Sequence, residues 1–464
     1  MSVKQDVEPG TVHEPRGSRR TGPALAALGL AALVAVMDGT VVAVAFDAFA
    51  EAFATNLATV VWLTVAYLIA VAATLPALPW ATARFGGRCV FLTGLILFVL
   101  ASALCAAAPS VGWLIAFRFL QGLGGGLLEP MSLTLAATLA NTRTMGKVMG
   151  TMSAVINVAP IFGPIIGSAL ANGGHWRWIF ALNLPLGLIV LVATLVFLPR
   201  DDTRASSRPA PVDVRGLTLL TVGYVSLLFA LNRSGEAPLA LVLGVALAGA
   251  ALLAGYTRHA LTTTATPALD LRLLGHPGFA ASLAVMGFVG FLMYSQVAAL
   301  PLVGAADHQL AGTAQGVLVC ALGAGLLPSM SLGGRLSDRF GPRPLVHAGS
   351  IIAAAGFTVL AAFHAALPLP ATLALLVVIG LGFGASASPT FASVYRVLPP
   401  QRQPTGSAAL FMTVQLTASL AVTVLGVLTR SDTWITPFFV LLAAAALAIT
   451  ALSPRLPGRP VHTG

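Results

Sequence analysis

"GRLSDRFGPRP" spans Gly334–Pro344, and a degraded copy, "PWATARFGGRC", spans Pro79–Cys89. Arg84, Phe85 and Gly86 align with Arg339, Phe340 and Gly341 at a shift of 255 residues. A basic strip broken by glycine, used twice so far apart in a chain this apolar, indicates two copies of one larger unit. What the unit is follows from the stretches on either side.

Only 9% of the 464 residues are charged and 57% are apolar, against roughly 25% charged in an ordinary soluble domain. No soluble fold of this length has interior enough for that much apolar surface. Long apolar runs follow one another along the chain, each near the ~20 residues a helix needs to cross the hydrocarbon core. The period-2 alternation of barrel strands is absent, so the spans are helices. Fourteen are expected, at about 23–46, 58–80, 89–108, 111–139, 147–171, 177–198, 214–231, 237–256, 278–303, 313–333, 345–366, 369–395, 405–428 and 433–453. The insertions 199–213 and 257–277 are too short to fold alone. The fold class is an all-α polytopic membrane protein.

The net charge of +10 raises the question of nucleic acid, and its distribution answers it. With an even number of spans, 21 of the 25 Lys and Arg fall at the end of the bundle that carries the termini. Arg177, Arg233 and Arg430 fall at the other end, and Arg118 sits inside a span. That asymmetry is the positive-inside rule, placing both termini in the cytoplasm. No loop clusters basic residues with aromatics, so nucleic acid is not an expected partner. Residues 1–22 are polar and precede an apolar run too long for a signal-peptide core, so the first span reads as uncleaved. Cys89, Cys105 and Cys320 are odd in number and lie in or at spans. They read as small buried thiols, with neither a disulfide framework nor a metal site.

Each strip lies in the loop after an even-numbered span, the second and the tenth. A second echo follows: "GLGGGLLEP" (Gly122–Pro130) in span 4 resembles "GLGFGASASP" (Gly380–Pro389) in span 12, at a shift of 258. Two echoes at nearly one offset indicate a duplication of six-helix bundles, 23–198 and 278–453. A region 199–277 carrying two extra spans lies between them, with tails at 1–22 and 454–464. Duplicated bundles around a midplane site are how many secondary transporters are built.

The residues also carry a family resemblance. The strip resembles the loop motif G-x-L-a-D-R-x-G-R of the major facilitator superfamily. "MDGTVVAVA" (Met37–Ala45), "WLTVAYLIA" (Trp62–Ala70), "RFLQGLGGG" (Arg118–Gly126), "GPIIG" (Gly163–Gly167) and "WRWIFALNLPLG" (Trp176–Gly187) are similar to stretches of its fourteen-helix drug:proton antiporter branch. The resemblance implies two pseudo-symmetric six-helix bundles plus two extra helices, and export of drugs, antiseptics or antibiotics in exchange for protons.

The chain has no G-x-x-x-x-G-K-[ST] phosphate loop, so transport would run on an ion gradient and needs a titratable group in the membrane. Asp38 is the first candidate, since an acid at mid-helix costs about 2.5–3.5 kcal/mol to insert. It sits about 22 Å along span 1, and Arg118 about 10 Å along span 4 from the opposite side. In a core of ~30 Å those depths nearly coincide, so the two are expected to share the cavity, either as a proton-coupling pair or as a fixed structural ion pair. The resemblance implies an acid and an arginine at these motif positions. Glu129 follows Arg118 by eleven residues, within ~20° of the same helix face. The related family usually has an apolar residue there. Glu129 reads as a second proton site, as an anchor for a cationic substrate, or as a carboxyl that reaches the nearer interface.

Pro160, Gly163, Pro164 and Gly167 are expected to interrupt span 5, because each proline removes a backbone hydrogen bond; by the resemblance this element marks antiporters. Asn157, Asn183, Tyr294, Gln296, Ser386, Ser388 and Gln415 are cavity candidates, with helix–helix hydrogen bonds the competing use. Trp62 and Trp176 are expected as interfacial anchors. The strips suit a cytoplasmic latch formed by Arg84, Gly86 and Arg88 in the first copy and Asp338, Arg339 and Gly341 in the second; the alternative is a pair of merely topogenic basic loops. Ala83 replaces the motif's Asp in the first copy and Pro79 its leading Gly, which puts a shift of the inward/outward balance in view.

The sequence therefore describes a transporter of the bacterial cytoplasmic membrane, not an enzyme. It is expected to use no organic cofactor and no metal, and to act as a monomer in lipid on protons and a small molecule. Uptake coupled to protons on the same scaffold is the alternative, followed by a membrane protein without transport activity.

Overall fold

The computed structural model describes residues 18–43, 45–141, 143–171, 175–200, 213–234, 237–263 and 267–458. Most of the N-terminal tail, most of the 199–213 insertion and the last six residues of the C-terminal tail lie outside the described residues.

Among the described residues, fourteen helical segments are long and apolar enough to cross a membrane. They are α1 Thr21–Val42, α2 Thr59–Phe85, α3 Gly87–Ala106, α4 Val111–Leu139, α5 Met145–Gly163, α6 Arg177–Phe197 and α7 Val214–Asn232. After these come α8 Leu239–Thr262, α9 Pro277–His308, α10 Ala314–Phe340, α11 Pro342–Phe363, α12 Leu369–Val397, α13 Pro400–Leu428 and α14 Ile435–Arg455. An even number of crossings puts residues 21 and 455 at one end of the bundle, called here the terminal end.

Prolines shape two of these helices. In α2 the α-helix Leu57–Thr74 passes through a 3-10 turn, Leu75–Ala77, into Leu78–Phe85. Pro76 and Pro79 offer no N–H to the carbonyls one turn back, and the tighter turn bridges the gap. In α6, Pro185 leaves the helix as two pieces, Arg177–Ala181 and Asn183–Phe197, with Asn183 buried at the join. The interruption expected in α5 is not found: the helix runs from Met145 to Ala171 through Pro160 and Pro164.

The repeat is visible in the packing. Gly86 and Gly341 end α2 and α10 at φ 85° and φ 80°, the left-handed region that only glycine enters without strain. In α4, an added Cβ at Gly122 or Gly126 would strike the backbone of α2, and one at Gly124 the backbone of α3. In α12, Gly380 and Gly384 meet the backbone of α10 in the same way, and Gly382 that of α11. At a shift of 258 residues, each glycine admits the corresponding neighbour. Close backbone approach of this kind suits helices in lipid, where small residues let van der Waals contact hold the bundle together.

The two inserted helices differ in depth. α8 has 11% of its most apolar stretch buried, the smallest share of the fourteen, whereas α7 has 33%. α8 lies against α7 where Gly223 and Gly249 bring the two backbones together. Trp176 is no interfacial anchor. It is 2% exposed and held by Phe49 and Phe53 at centroid distances of 5.4 and 5.2 Å, under the short helix Phe46–Ala52. Cys89 is exposed at the start of α3, contrary to the buried thiol expected, while Cys105 is buried.

Candidate functional site

A cavity of about 540 Å³ lies between the two six-helix halves. Near its floor are Glu129 and Pro130 of α4, Met330 of α10, Phe391 of α12 and Phe411 of α13; towards the end opposite the termini it reaches Phe46, Val61, Arg233 and Val422. The lining is mostly apolar, rich in aromatic rings and methionine. Asn157, Tyr294 and Gln415 line it as expected, and so do Glu129 and Pro160. Asn183, Gln296, Ser386 and Ser388 do not. Gln296 is fully buried and its Nε2 donates to the Leu292 carbonyl at 3.0 Å. Ser386 donates to backbone carbonyls within α12 and on α11, and Ser388 sits where Gly150 and Gly334 meet. These three serve helix packing.

Asp38 and Arg118 do meet, but outside the cavity wall. Their side chains form an ion pair with no solvent exposure on either. The Asp38 carboxylate also accepts from Gln121 Nε2 at 2.9 Å and from Asn183 Nδ2 at 2.8 Å. Arg118 donates to Gln121 Oε1 at 2.7 Å and to the Leu63 carbonyl at 3.2 Å. Gln121 Nε2 further donates to Ser102 Oγ at 2.8 Å. The network satisfies both carboxylate oxygens, which favours a buried ion pair, while Arg118 Nη2 has no hydrogen-bond partner among the described residues. Tyr67 separates this network from the cavity: its ring lies 4.2 Å from the guanidinium, its hydroxyl donates to the Ala35 carbonyl at 3.1 Å, and it lines the cavity itself. Sequence reasoning missed Gln121, although it stands inside the quoted "RFLQGLGGG" one turn from Arg118. Ser102 had no signal of its own.

Glu129 has a different setting. It is half-buried and faces the cavity, and no ion pair or hydrogen bond to its carboxyl is found among the described residues. It shares a helix face with Arg118, yet Tyr67 covers only the arginine. Of the glycines between them, Gly122 is filled by α2, while Gly125 lies against the Tyr67 hydroxyl and lines the cavity.

At the terminal end the halves are locked together. The Asp338 carboxylate accepts from the backbone N–H groups of Gly146 at 2.7 Å and Lys147 at 2.8 Å, capping the free donors that open α5. The same carboxylate pairs with Arg396 of α12, whose guanidinium also donates to Ser337 Oγ at 3.3 Å. A Cβ on Gly146 would strike the Gly334 carbonyl, so α5 and α10 are in backbone contact here. Nearby, Thr134 and Tyr395 both hydrogen-bond Ser407 Oγ, at 2.6 and 2.7 Å, joining α4, α12 and α13.

The two strips do different work. Arg339 stacks on Phe340 at 5.2 Å and Gly341 ends its helix; Asp338 reaches across to the other half, beside the backbone contact at Gly334. In the first copy Arg84 is exposed, and Arg88 donates to the Leu195 carbonyl of α6 at 3.1 Å, within its own half. The residue matching Asp338 is Ala83, and the helix opening α13 at Gln403 has no side-chain cap.

Outside the spans, Asp213 caps the first turn of α7. Burial works against its charge. The Gly216 N–H at 2.9 Å and His259 Nε2 at 2.8 Å outweigh that, and hold the carboxyl below its ordinary range. Among the described residues no three His, Cys, Asp or Glu side chains converge as a metal site would require.

Comparison with known proteins agrees with the geometry. The family described as Major Facilitator Superfamily matches residues 28–303 and 283–463. The chain is 32% identical over 428 residues to "Multidrug resistance protein B homolog" of Mycobacterium tuberculosis, covering 89% of this chain and 79% of that protein. It is 29% identical over 437 residues to "Tetracenomycin C resistance and export protein" of Streptomyces glaucescens, covering 93% and 80%. Among solved structures, the human organic anion transporter MFSD10 superposes with a TM-score of 0.67 at 15% identity, covering 95% of this chain and all of the other.

Proposed function

The chain belongs to the major facilitator superfamily and is a multi-span membrane transporter, not an enzyme; from that premise we propose that it exports small hydrophobic or cationic compounds in exchange for protons. The relatives named for multidrug resistance and for export support the efflux reading. The basic residues gathered at the terminal end support a cytoplasmic position for that end. On that orientation the cytoplasmic side is locked by Asp338 and the cavity opens outward, the state in which an exporter releases substrate and takes up protons.

The observation that carries the reading is Glu129. An acid with no partner among the described residues, facing an apolar chamber between two halves, has a site to offer either to a proton or to a cation, but not to both at once. Competition of that kind couples two flows with no ATP. Asp38, with Arg118, Gln121 and Asn183, is the second coupling group: its network spans α1, α2, α3, α4 and α6, and a proton on Asp38 weakens the bonds that tie α1 to α4 and α6. In α5 a Cβ on Gly163 would strike the Thr40 hydroxyl of α1. That places the proline and glycine element, with Pro160 at the cavity and Gly167 buried further along, against the helix that bears Asp38.

Substrate-driven proton flux in proteoliposomes tests this, with cationic and neutral compounds and with wild type beside Asp38→Asn and Glu129→Gln. Proton movement opposite to substrate, lost in Asp38→Asn, is the expected result. Flux in the same direction would make this an importer, and unchanged coupling in both variants would remove both carboxyls as carriers.

A further inference from the structure

Helix α7 belongs to neither six-helix half, yet it forms part of the cavity. Val225, Leu228, Phe229, Asn232 and Arg233 recur at i, i+3, i+4, i+7 and i+8, a single stripe along an α-helix. All five line the cavity. The stripe is held in register by polar contacts to α13. Tyr224 donates to the Met412 carbonyl at 3.2 Å and lies 3.0 Å from Gln415 Oε1. Thr423 donates to the Leu231 carbonyl at 2.8 Å, Ser234 lies 3.4 Å from Thr423, and Asn232 Nδ2 lies 3.4 Å from Ser419 Oγ. Another face takes α8, where Gly223 and Gly249 allow the closest approach. Towards α2, the Arg233 guanidinium lies 5.8 Å from the Trp62 ring.

A helix that only filled space between the halves would need neither a fixed rotation nor a polar side chain on its cavity face. Here the rotation is pinned at Tyr224 and again two turns on, from Leu231 to Ser234. The face so presented carries an aromatic ring and, one turn on, an amide. Gln415, which lines the cavity, is itself fixed by Tyr224 of α7, so the wall is continuous from α13 onto α7.

We propose that α7 is a wall of the substrate site, and that Phe229 and Asn232 contact substrate and set its specificity. Phe229 takes a flat aromatic portion of the ligand. Asn232 Nδ2 is committed to the Leu228 carbonyl at 2.9 Å and to Ser419, so its Oδ1 accepts from an N–H or O–H of the ligand, such as an amine. Both lie nearer the mouth than Glu129, which meets the charged end. The proposal rests on the transporter reading above.

Binding to the purified, detergent-solubilised full chain tests it without requiring transport. The probes are ethidium, rhodamine 6G and tetraphenylphosphonium, the last an aromatic cation with no hydrogen-bonding group. Phe229→Ala should weaken ethidium by about fivefold or more, the scale of one aromatic pairing. Asn232→Ala should weaken rhodamine 6G by about threefold or more and leave tetraphenylphosphonium unchanged. Leu247→Ala on the exposed face of α8 should change nothing. Should Phe229→Ala not yield a monodisperse protein, Phe229→Leu keeps the apolar volume, removes the ring and gives the same expectation for ethidium. Wild-type affinity for all three probes in the α7 variants, or equal losses for all three in both, overturns the proposal alone. Failure of wild type to bind any probe overturns the functional reading, and this proposal with it.

Discussion

The Asp338 carboxylate accepts the backbone N–H of Gly146 at 2.7 Å, so a side chain of one half closes a helix end of the other. Its counterpart in the repeat is Ala83, which has nothing to donate or accept. One of two symmetric locks is therefore present. Asp338→Ala removes a charged acceptor from two N–H groups and leaves Arg396 without its partner, and hydrogen bonds to charged groups are each worth about 1.5–3 kcal/mol. The expected outcome is a population moved towards opening at the terminal end, by about tenfold or more. Thiol labelling of Ser153→Cys, a cavity position, in a Cys89→Ser background that removes the exposed native thiol, should speed up accordingly in inside-out vesicles. Labelling at the wild-type rate would show that the contact does not hold the halves together.

The Asp38–Arg118 pair predicts a non-additive series. Asp38→Asn leaves a buried guanidinium uncompensated, at a cost of about 3–5 kcal/mol. Removing both charges, in Asp38→Asn with Arg118→Gln, should cost less than the sum of the two single changes, because the stranded charge is gone. Transport should stay absent in the double variant even where thermal stability in detergent recovers. A double variant that transports and remains proton-coupled would reduce the pair to a structural role.

Much of this is legible in the sequence, for identifiable reasons. Spans are read from apolar length, and the repeat from Gly86 and Gly341, which any copy of this turn needs at positive φ. Depth alone pairs Asp38 with Arg118. Depth says nothing about rotation, so the sequence points both into the cavity, when Tyr67 in fact stands between. Asn183 escapes notice as an Asp38 partner for a related reason: the break at Pro185 that turns it inward is a tertiary arrangement. The role of α7 is hidden most completely. Its cavity stripe has the same spacing as any helix face, and only the neighbours on each side show that it is not turned to lipid.

Glu129→Gln separates cation recognition from transport of neutral compounds. Apparent affinity for a monovalent organic cation should fall by about tenfold, the scale of a single charge-assisted interaction, while neutral substrates are unaffected. In wild type, raising the proton concentration on the cavity side should weaken cation binding through competition, and in Glu129→Gln that dependence should vanish. Equal losses for cationic and neutral substrates would assign Glu129 to the shape of the site and not to its charge.

Asp213 predicts a window in acid. Its folded-state pKa is lowered, so its contribution is fully present above the unfolded value near 3.9 and is lost as pH falls through the folded value. Asp213→Ala should destabilise the fold by the missing helix cap, about 0.5–2 kcal/mol, read as a lower melting temperature. The difference from wild type should stay constant from neutral pH down to about pH 4 and then shrink. A difference that instead changed between pH 6 and 8 would point to the partner His259 as the titrating group.

Gly163 tests the contact between α1 and α5. A Cβ there would overlap the Thr40 hydroxyl and lie 2.9 Å from the Thr40 Cβ, so Gly163→Ala must push the helices apart. Thr40 donates to the Met37 carbonyl at 2.9 Å, one residue before Asp38, so that displacement reaches the coupling network directly. Overpacking of this kind costs about 1–3 kcal/mol, and transport should fall more steeply than the amount of folded protein. Thr40→Ala removes the hydroxyl and relieves the worse of the two overlaps. Combined with Gly163→Ala it should restore part of the missing transport, although Thr40→Ala alone gains nothing. If Gly163→Ala transports normally by itself, α1 and α5 do not need this close approach, and the glycine has some other use.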